Sequence, residues 1–179
     1  MPDPRRFLID RLETPLGVSI LISDAQGALR LHAWDDAGDP WRERCRRRLG
    51  AVELAEGRDR FGHAAALARY FEGEIAALER LPVALAGTAF QSQVWRALRE
   101  IAPGATSSYA ALARRIGRPK AVRAVGLANG SNPVGVVVPC HRVVGSDGSL
   151  TGYGGGLARK RWLLAHEARH AGQRLEASA

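Results

Sequence analysis

The sequence has few cysteines and lacks the common metal-binding patterns. Its 179 residues include two cysteines: Cys45 lies in an arginine-rich stretch and Cys140 follows a run of valines. A disulfide framework is therefore not expected, and a reducing compartment fits better. There is no CxxC pair and no HExxH, and the five histidines do not group at ligand spacing. We predict no metal site and no cofactor.

Long apolar runs and an excess of acidic residues are also missing. No stretch of 18 apolar residues occurs, and the first residues do not read as a basic then apolar signal. We therefore expect a soluble, cytoplasmic protein with no membrane partner. The 26 Lys and Arg residues against 18 Asp and Glu give a formal charge of +8. This balance favours a polyanionic partner such as nucleic acid, although an arginine-rich proteome would produce it as well.

The first half of the chain predicts a small antiparallel sheet with helices. Three segments that partly alternate in polarity are separated by turn residues and predict a meander over residues 7–12, 18–23 and 29–34. Helices are predicted over residues 39–49 and 62–71. A proline-containing linker follows, which places a lobe boundary near residue 86. We predict an α+β fold with an N-terminal lobe at 1–86 and a second domain at 87–179.

The second domain is predicted to be mainly helical and to contain a helix-turn-helix. Thr88 followed by Gln91 resembles a capping box at the start of a helix of about twelve residues. Two short helices then follow, at 109–116 and from 120 to about 128, joined by about three residues that include Gly117. The pair is typical of DNA-binding proteins, but other small helical proteins contain such pairs too.

The second helix of this pair combines small side chains with nearby cations. It offers no long amide or carboxylate side chain for reading bases in the major groove, so it is suited to close approach rather than base discrimination. No acidic residue interrupts the five cations around it. They predict a phosphate-facing patch whose binding weakens with salt, made of Arg114, Arg115, Arg118, Lys120 and Arg123.

Cys140 lies between two apolar segments, directly after Pro139 and before His141. The β-branched residues on both sides, 136–138 and 143–144, predict buried extended segments, and proline interrupts their pairing. A short hairpin-like segment is therefore expected around the cysteine. Cys140 is either an inert buried thiol or a reactive one, for which His141 or Arg142 would supply the base or cation that favours thiolate.

The ordered motifs of residues 88–168 resemble the O6-alkylguanine-DNA alkyltransferase family. The resemblance is carried by the Pro-Cys-His-Arg-Val sequence together with partners found in unbroken order before and after it. These motifs are 90–95, 108–109, 123–126, 132–133, 138–144, 152–153 and 162–167, with Lys160 between the last two. Before residue 86 the resemblance is limited to the layout of a small sheet with helices.

The resemblance implies roles for five residues around the thiol. Cys140 resembles the alkyl acceptor, His141 its base acting through a water, and Glu167 the carboxylate that orients the histidine. Asn132 resembles the residue that braces the active-site turn. Tyr109 resembles a hydroxyl donor near the guanine ring. Glu167 is a neighbour of His141 only if the last helix folds back onto the cysteine turn.

The resemblance also implies a DNA face and a lesion pocket. Arg123 would enter the duplex in place of the flipped nucleotide, since a stacked base does not expose its O6 substituent. The other DNA-facing residues would be Ala121, Ala124, Gly126, Lys120, Arg118 and Ser108, with the helix in the minor groove. The lesion pocket would be formed by Val143, Tyr153, Gly154 and Gly155.

The implied function is direct reversal of DNA damage. The O6-alkyl group of guanine in double-stranded DNA moves irreversibly to Cys140, once per molecule and without a cofactor. O4-methylthymine is a second candidate substrate, and a monomer, with cooperative binding on DNA left open, is the expected form. Two other classes are considered: a DNA-binding module that senses lesions without chemistry, and a Cys-His hydrolase that turns over through an acyl-enzyme.

Overall fold

The N-terminal lobe is built on a four-stranded mixed sheet. The structure is a computed structural model that describes residues 5–37 and 40–172. Strands β1 (Arg5–Thr14), β2 (Gly17–Ser23) and β3 (Leu29–Trp34) form the predicted antiparallel meander. A fourth strand, β4 (Val52–Glu56), pairs with β1 in parallel and gives the order β3-β2-β1-β4.

The predicted antiparallel meander is therefore present, but the sheet as a whole is mixed, because it contains a fourth, parallel strand that the sequence pattern did not predict. Residues 52–56 read Val-Glu-Leu-Ala-Glu, a short segment with little alternation in burial, so periodicity gave no strong strand signal. Their conformation is fixed by backbone pairing with β1. Helix α1 (Trp41–Leu49) precedes β4 and supplies the crossover that a parallel pair requires. The helix predicted from Asp39 begins at Trp41, and Asp39 itself lies outside the described residues.

The two faces of the sheet pack against different partners because side chains alternate along each strand. On one face Ile20 and Ile22 contact the buried side of α1, where Trp41 and Cys45 lie. On the other face Leu21 joins a larger core with helix α2 (His63–Phe71) and the second domain. The arginines of α1 are mostly on its outer side, as expected of an amphipathic helix.

The part of the chain after the linker contains the predicted helix-turn-helix. Helix α3 (Ala89–Arg99) starts with the capping box between Thr88 and Gln91, and both reciprocal bonds are present. Ser108 caps helix α4 (Tyr109–Arg115) by accepting a hydrogen bond from the Ala111 amide. Gly117, which has a left-handed backbone conformation, follows α4 and precedes helix α5 (Val122–Gly130). The chain ends its described part with helix α6 (Leu157–His170) and a short turn.

No hairpin forms at the cysteine, which corrects that part of the predicted fold. The two-residue strands β5 (Ser107–Ser108) and β6 (Val143–Val144) pair in parallel, and the valines at 136–138 lie in turns. Val136 has a φ of 69°, a conformation that is costly for a β-branched side chain. Hydrogen bonds with the side chain of Asn132 hold this turn against the strand preference of valine.

One hydrophobic core crosses from the first lobe into the second. Leu29 and Trp34 of the sheet and Tyr70 of α2 belong to the same buried cluster as Cys140 and Leu163 of α6. The linker contributes as well, because Leu29 exchanges backbone hydrogen bonds with Pro82 and Ala84. In the part of the chain described here, no helix has both the length and the apolar character needed to cross a membrane.

Candidate active site

Cys140 begins a short 3-10 turn, Cys140–Arg142, directly after Pro139. The cysteine is 6% exposed. Asn132 braces the preceding turn from both ends: its side-chain amide donates to the Val138 carbonyl at 2.7 Å, and its Oδ1 accepts from the Val134 amide at 3.0 Å. These bonds satisfy backbone groups that a strand would otherwise pair, and they hold the cysteine turn in place. The position of Asn132 fits the bracing role implied by the resemblance.

The predicted contact between His141 and Glu167 is present. His141 Nε2 lies 2.9 Å from Glu167 Oε1, and both side chains are fully buried. The contact exists because α6 folds back onto the cysteine turn and presents Glu167 to it. Nδ1 of His141 has no hydrogen-bond partner within the described parts of the chain. A carboxylate accepts from Nε2–H, so a neutral His141 carries its lone pair on Nδ1, which is the arrangement a general base requires.

Arg142 neutralises Glu167, a role that the sequence did not reveal. Its Nε donates to Glu167 Oε2 and its Nη2 to Oε1, each at 2.8 Å, while Nη1 donates to the Ile101 carbonyl at 2.6 Å. Burial opposes the charge of Glu167, but the bonds from His141 and Arg142 outweigh it and hold the pKa of the carboxyl well below its ordinary value. Arg142 is therefore the counter-ion of Glu167, a different role from the predicted cation for the thiolate.

Two further donors complete the surroundings of Glu167. The Tyr70 hydroxyl donates to Oε1 at 2.8 Å and the Gly104 amide donates to Oε2 at 3.2 Å. Tyr70 belongs to α2 in the N-terminal lobe, 97 residues before the carboxylate in sequence. Sequence patterns missed it because Tyr70 lies on the apolar stripe of α2 and is indistinguishable there from a core residue.

The protonation states of His141 and Cys140 are set mainly by burial. Burial lowers the pKa of His141, and the hydrogen bond and charge of Glu167 act in the opposite direction, which leaves a neutral imidazole. Burial raises the pKa of the Cys140 thiol, and hydrogen bonding from Asn132 and the charge of Lys160 counteract it. The thiol is therefore protonated at rest and needs a base at the moment of reaction.

Lys160 is the second cation of the site and is completely buried. Its Nζ donates to the carbonyls of Val143 and Thr151, so it joins β6 to the loop that precedes α6. Burial lowers the pKa of Lys160 and the neighbouring Cys140 raises it. In the sequence Lys160 was noted only as part of the closing motif of the resemblance, and that motif predicts neither its burial nor its hydrogen bonds to Val143 and Thr151.

A cavity of about 110 Å³ opens beside Cys140 between the two lobes. Cys140 and Asn132 line it, together with three of the predicted pocket residues: Tyr153, Gly154 and Gly155. Other parts of the wall come from the sheet and from α1 and were not predicted from sequence patterns: His32, Trp34, Arg44 and Arg48. Burial, aided by Arg44 and Arg159, lowers the pKa of His32 to about 3, so this wall contains a neutral histidine.

Val143 and Tyr109, like His141 and Glu167, do not line this cavity. The side chain of Val143 lies in the core and its carbonyl accepts from Lys160. Tyr109 is half-buried at the start of α4, and its hydroxyl donates to the Thr151 carbonyl at 3.2 Å. Its ring lies over Gly126 of α5, where an added Cβ would be 3.8 Å from it. Tyr109 thus lies between α5 and the loop after the cysteine.

Arg159 links that loop to the N-terminal lobe. Its guanidinium forms a two-pronged ion pair with Asp36, at 2.6 and 2.7 Å, and donates to the carbonyls of Leu16 and Gly155. It also stacks 4.5 Å above the ring of Trp34. Gly155 accordingly lies against both residues: its carbonyl accepts from Arg159, and a Cβ added to it would be 2.9 Å from Trp34 Nε1. Arg159 was not among the predicted site residues.

Helix α5 presents a cationic and small-residue face to solvent. Arg123 and Ala124 are exposed, Ala121 and Gly126 are half-buried, and Leu127 is 72% exposed on the same face as Arg123. Arg118 and Lys120 are exposed in the preceding turn, and Ser108 lies half-buried at the N-cap of α4. Among the described residues, no set of three His, Cys, Asp or Glu side chains is arranged to hold a metal ion.

The fold and the site define a protein that combines a helix-turn-helix with a buried cysteine next to a histidine that a buried carboxylate holds. A family model described as the DNA-binding domain of 6-O-methylguanine DNA methyltransferase matches residues 89–169. The methylated-DNA--protein-cysteine methyltransferase of Salmonella typhimurium is 45% identical over 168 residues, covering 90% of this chain and 96% of the relative. The protein of the same name from Mycolicibacterium paratuberculosis is 44% identical, covering 89% and 91%.

Solved structures of proteins with related names are also similar to this chain. The crystal structure of Mycobacterium tuberculosis O6-methylguanine methyltransferase has a TM-score of 0.75 and 37% identity, covering 92% of this chain and 93% of that one. The M. tuberculosis protein in complex with DNA has a TM-score of 0.69 and 32% identity, covering 92% and 94%. The chain belongs to the family of methylated-DNA--protein-cysteine methyltransferases.

Proposed function

We propose that this protein repairs alkylated DNA by moving the O6-alkyl group of guanine onto its own Cys140. The observation that carries the proposal is the network that ends at His141. A buried, ionised Glu167 holds the imidazole by Nε2, while Nδ1 keeps its lone pair, and the cysteine is the adjacent residue. The names of the relatives and the DNA complex of the M. tuberculosis protein support DNA as the partner.

In the transfer step the Cys140 thiol gives its proton to His141, through a water in the mechanism that the resemblance implies. The thiolate sulfur then forms a bond to the alkyl carbon, and the bond between that carbon and O6 breaks with its electron pair going to the guanine. Glu167 stabilises the imidazolium that forms, because its charge lies within hydrogen-bond distance. Water does not reverse a thioether, so each molecule reacts once.

The DNA side of the proposal rests on α5 and the cations before it. Arg118, Lys120 and Arg123 are exposed, and Ala124 and Gly126 allow a backbone to approach closely. A base within the stack cannot present its O6 substituent to a buried thiol, so the nucleotide is flipped into the protein and Arg123 fills the gap it leaves. Tyr109, between α5 and the loop, is the hydroxyl donor to the departing base, for which its hydroxyl turns away from the Thr151 carbonyl.

The experiment that tests this proposal is mass analysis of the protein after incubation with duplex DNA that contains O6-methylguanine. We expect the Cys140 peptide to gain the mass of one CH2 group, and the gain to stop at one per molecule. Cys140→Ala should bind the duplex with unchanged affinity and gain no mass. Lesion binding by the natural protein without a mass change would instead indicate a DNA-binding module, and repeated turnover would indicate a hydrolase.

Three finer points extend the same proposal. We infer that the protein acts as a monomer in the cytoplasm, and that O4-methylthymine is a second substrate because its alkyl carbon is bonded to an equivalent exocyclic oxygen. Transfer assays with a duplex that contains O4-methylthymine test the substrate. Light scattering of the free protein and of its DNA complex tests the oligomeric state.

A further inference from the structure

A side chain of the N-terminal lobe reaches Glu167 directly, because the hydroxyl of Tyr70 donates to its Oε1. We propose that Tyr70 is a positioning residue for alkyl transfer: its hydroxyl takes up part of the negative charge of Glu167 Oε1 and so keeps His141 neutral and ready to accept a proton. This inference rests on the proposed function, in which His141 is the base. It also gives the first lobe a part in the chemistry.

The geometry of Oε1 supports this role. Three donors reach this one oxygen: Tyr70 Oη at 2.8 Å, His141 Nε2 at 2.9 Å and Arg142 Nη2 at 2.8 Å. A carboxylate oxygen offers about two lone-pair directions, so three donors compete for it. Each donor reduces the charge that the other two experience. Removing the hydroxyl would strengthen the bond from His141 and stabilise the imidazolium.

The charges around His141 make its proton affinity sensitive to that competition. Glu167 from α6 favours the imidazolium, whereas Arg142 from the same turn and Lys160 from α6 oppose it. Cys140, the adjacent thiol, is neutral at rest. Two cations therefore act against one carboxylate, whose effect depends on how much of its charge the Tyr70 hydroxyl has taken. Burial raises the pKa of Tyr70 well above its ordinary value, so its hydroxyl remains a donor at every working pH.

Packing between the lobes fixes the position of the Tyr70 hydroxyl. The ring is completely buried and lies 5.4 Å from Phe71 and 5.3 Å from His166, measured between ring centroids. The Tyr70 carbonyl accepts from His166 Nε2 at 2.7 Å. Helices α2 and α6 are thus joined at the residue that donates to Glu167, and the docking of the first lobe determines where the hydroxyl lies.

The test uses the full chain with Tyr70→Phe, which keeps the ring and removes the hydroxyl. We expect the pKa of His141, followed by NMR titration of the histidine ring signals, to rise by about 0.5 to 1 pH unit, the shift expected for one net hydrogen bond. The acid limb of the methyl-transfer rate against pH should move upward by the same amount. Affinity for the duplex should not change, because the hydroxyl that is removed donates to Glu167 of α6 and not to the helix proposed to face the DNA.

A matched control separates this effect from a loss of stability. Phe71→Leu alters the neighbouring position on α2, which contacts Tyr70 and Trp162 by its ring but has no hydroxyl to donate. This variant should melt at a lower temperature and leave the titration of His141 unchanged. A second variant keeps the hydroxyl: 3-fluorotyrosine introduced at position 70 is a stronger donor and should move the pKa of His141 downward.

The outcomes decide the inference independently of the proposed function. An unchanged His141 titration in Tyr70→Phe, or shifts of the same sign in the phenylalanine and fluorotyrosine variants, would overturn it. If the natural protein transfers no methyl group to Cys140, the proposed function fails, whereas the NMR titration still reports on Tyr70. Opposite shifts in the two variants, with the acid limb following in Tyr70→Phe, support the role.

Discussion

Replacing Glu167 by glutamine should destabilise the protein far more than its single-atom difference suggests. The carboxamide retains one acceptor oxygen but turns an NH2 group toward the donors of His141 or Arg142, and the Arg142 guanidinium is left buried without a counter-ion. Breaking a buried ion pair by removing one partner costs about 3–5 kcal/mol. For a chain of this size each kcal/mol lowers the melting temperature by about 2–4 °C. We expect a decrease of about 6–20 °C.

The assay is thermal denaturation at neutral pH, with Glu53→Gln as the control. Glu53 pairs with Arg6 at 3.9 Å on the surface, where such pairs contribute about 0–1 kcal/mol. The pKa of Glu167 is lowered in the folded state, so its stabilisation is complete above the pKa of the unfolded chain, about 4, and is lost as the pH falls below that value. The difference between the natural protein and Glu167→Gln should therefore shrink in acid. A melting temperature within 2 °C of the natural value (about 1 kcal/mol or less) would refute this reasoning.

Other substitutions probe the thiol, the DNA face and the loop. Lys160→Met removes a buried cation near Cys140 and should raise the pKa of the thiol, seen as an upward shift in the pH dependence of its alkylation by iodoacetamide. Arg123→Ala should slow transfer from duplex DNA more than transfer from single-stranded DNA, because only the duplex has a gap to fill. Gly155→Ala places a Cβ 2.8 and 2.9 Å from two aromatic side chains and should slow transfer, whereas Gly154→Ala meets nothing within 4 Å and should not.

Features that depend on local residue patterns or on the order of the family motifs could be predicted from the sequence. The meander, the capping box of α3, the helix pair and the contact between His141 and Glu167 are all present. Strand β4 was missed because its five residues are held by pairing with β1 and carry little pattern of their own. Val136 was assigned to a strand from its β preference, but Asn132 and the packing of the turn override that preference.

The rest of the site depends on contacts between distant segments. Arg142 is next to His141 in sequence, yet its role as counter-ion becomes apparent only when α6 brings Glu167 to it. Tyr70 looks like an ordinary core aromatic until α2 is docked on α6. Arg44 and Arg48 of α1 line the cavity beside Cys140 only because the first lobe covers that side of the turn. Local sequence patterns contain no information about which distant segments come into contact.

The order in which the chain is made bears on when its cysteine can react. Glu167, whose carboxylate holds His141, comes 26 residues further along the chain than that histidine. The same carboxylate accepts a hydrogen bond from Tyr70, 97 residues before it in sequence. A nascent or partly unfolded chain therefore carries an ordinary thiol next to an ordinary imidazole. Reactivity toward alkylated DNA therefore requires α6 to be docked on the cysteine turn, because the thiol, its base and the carboxylate that holds the base are together only in the folded protein.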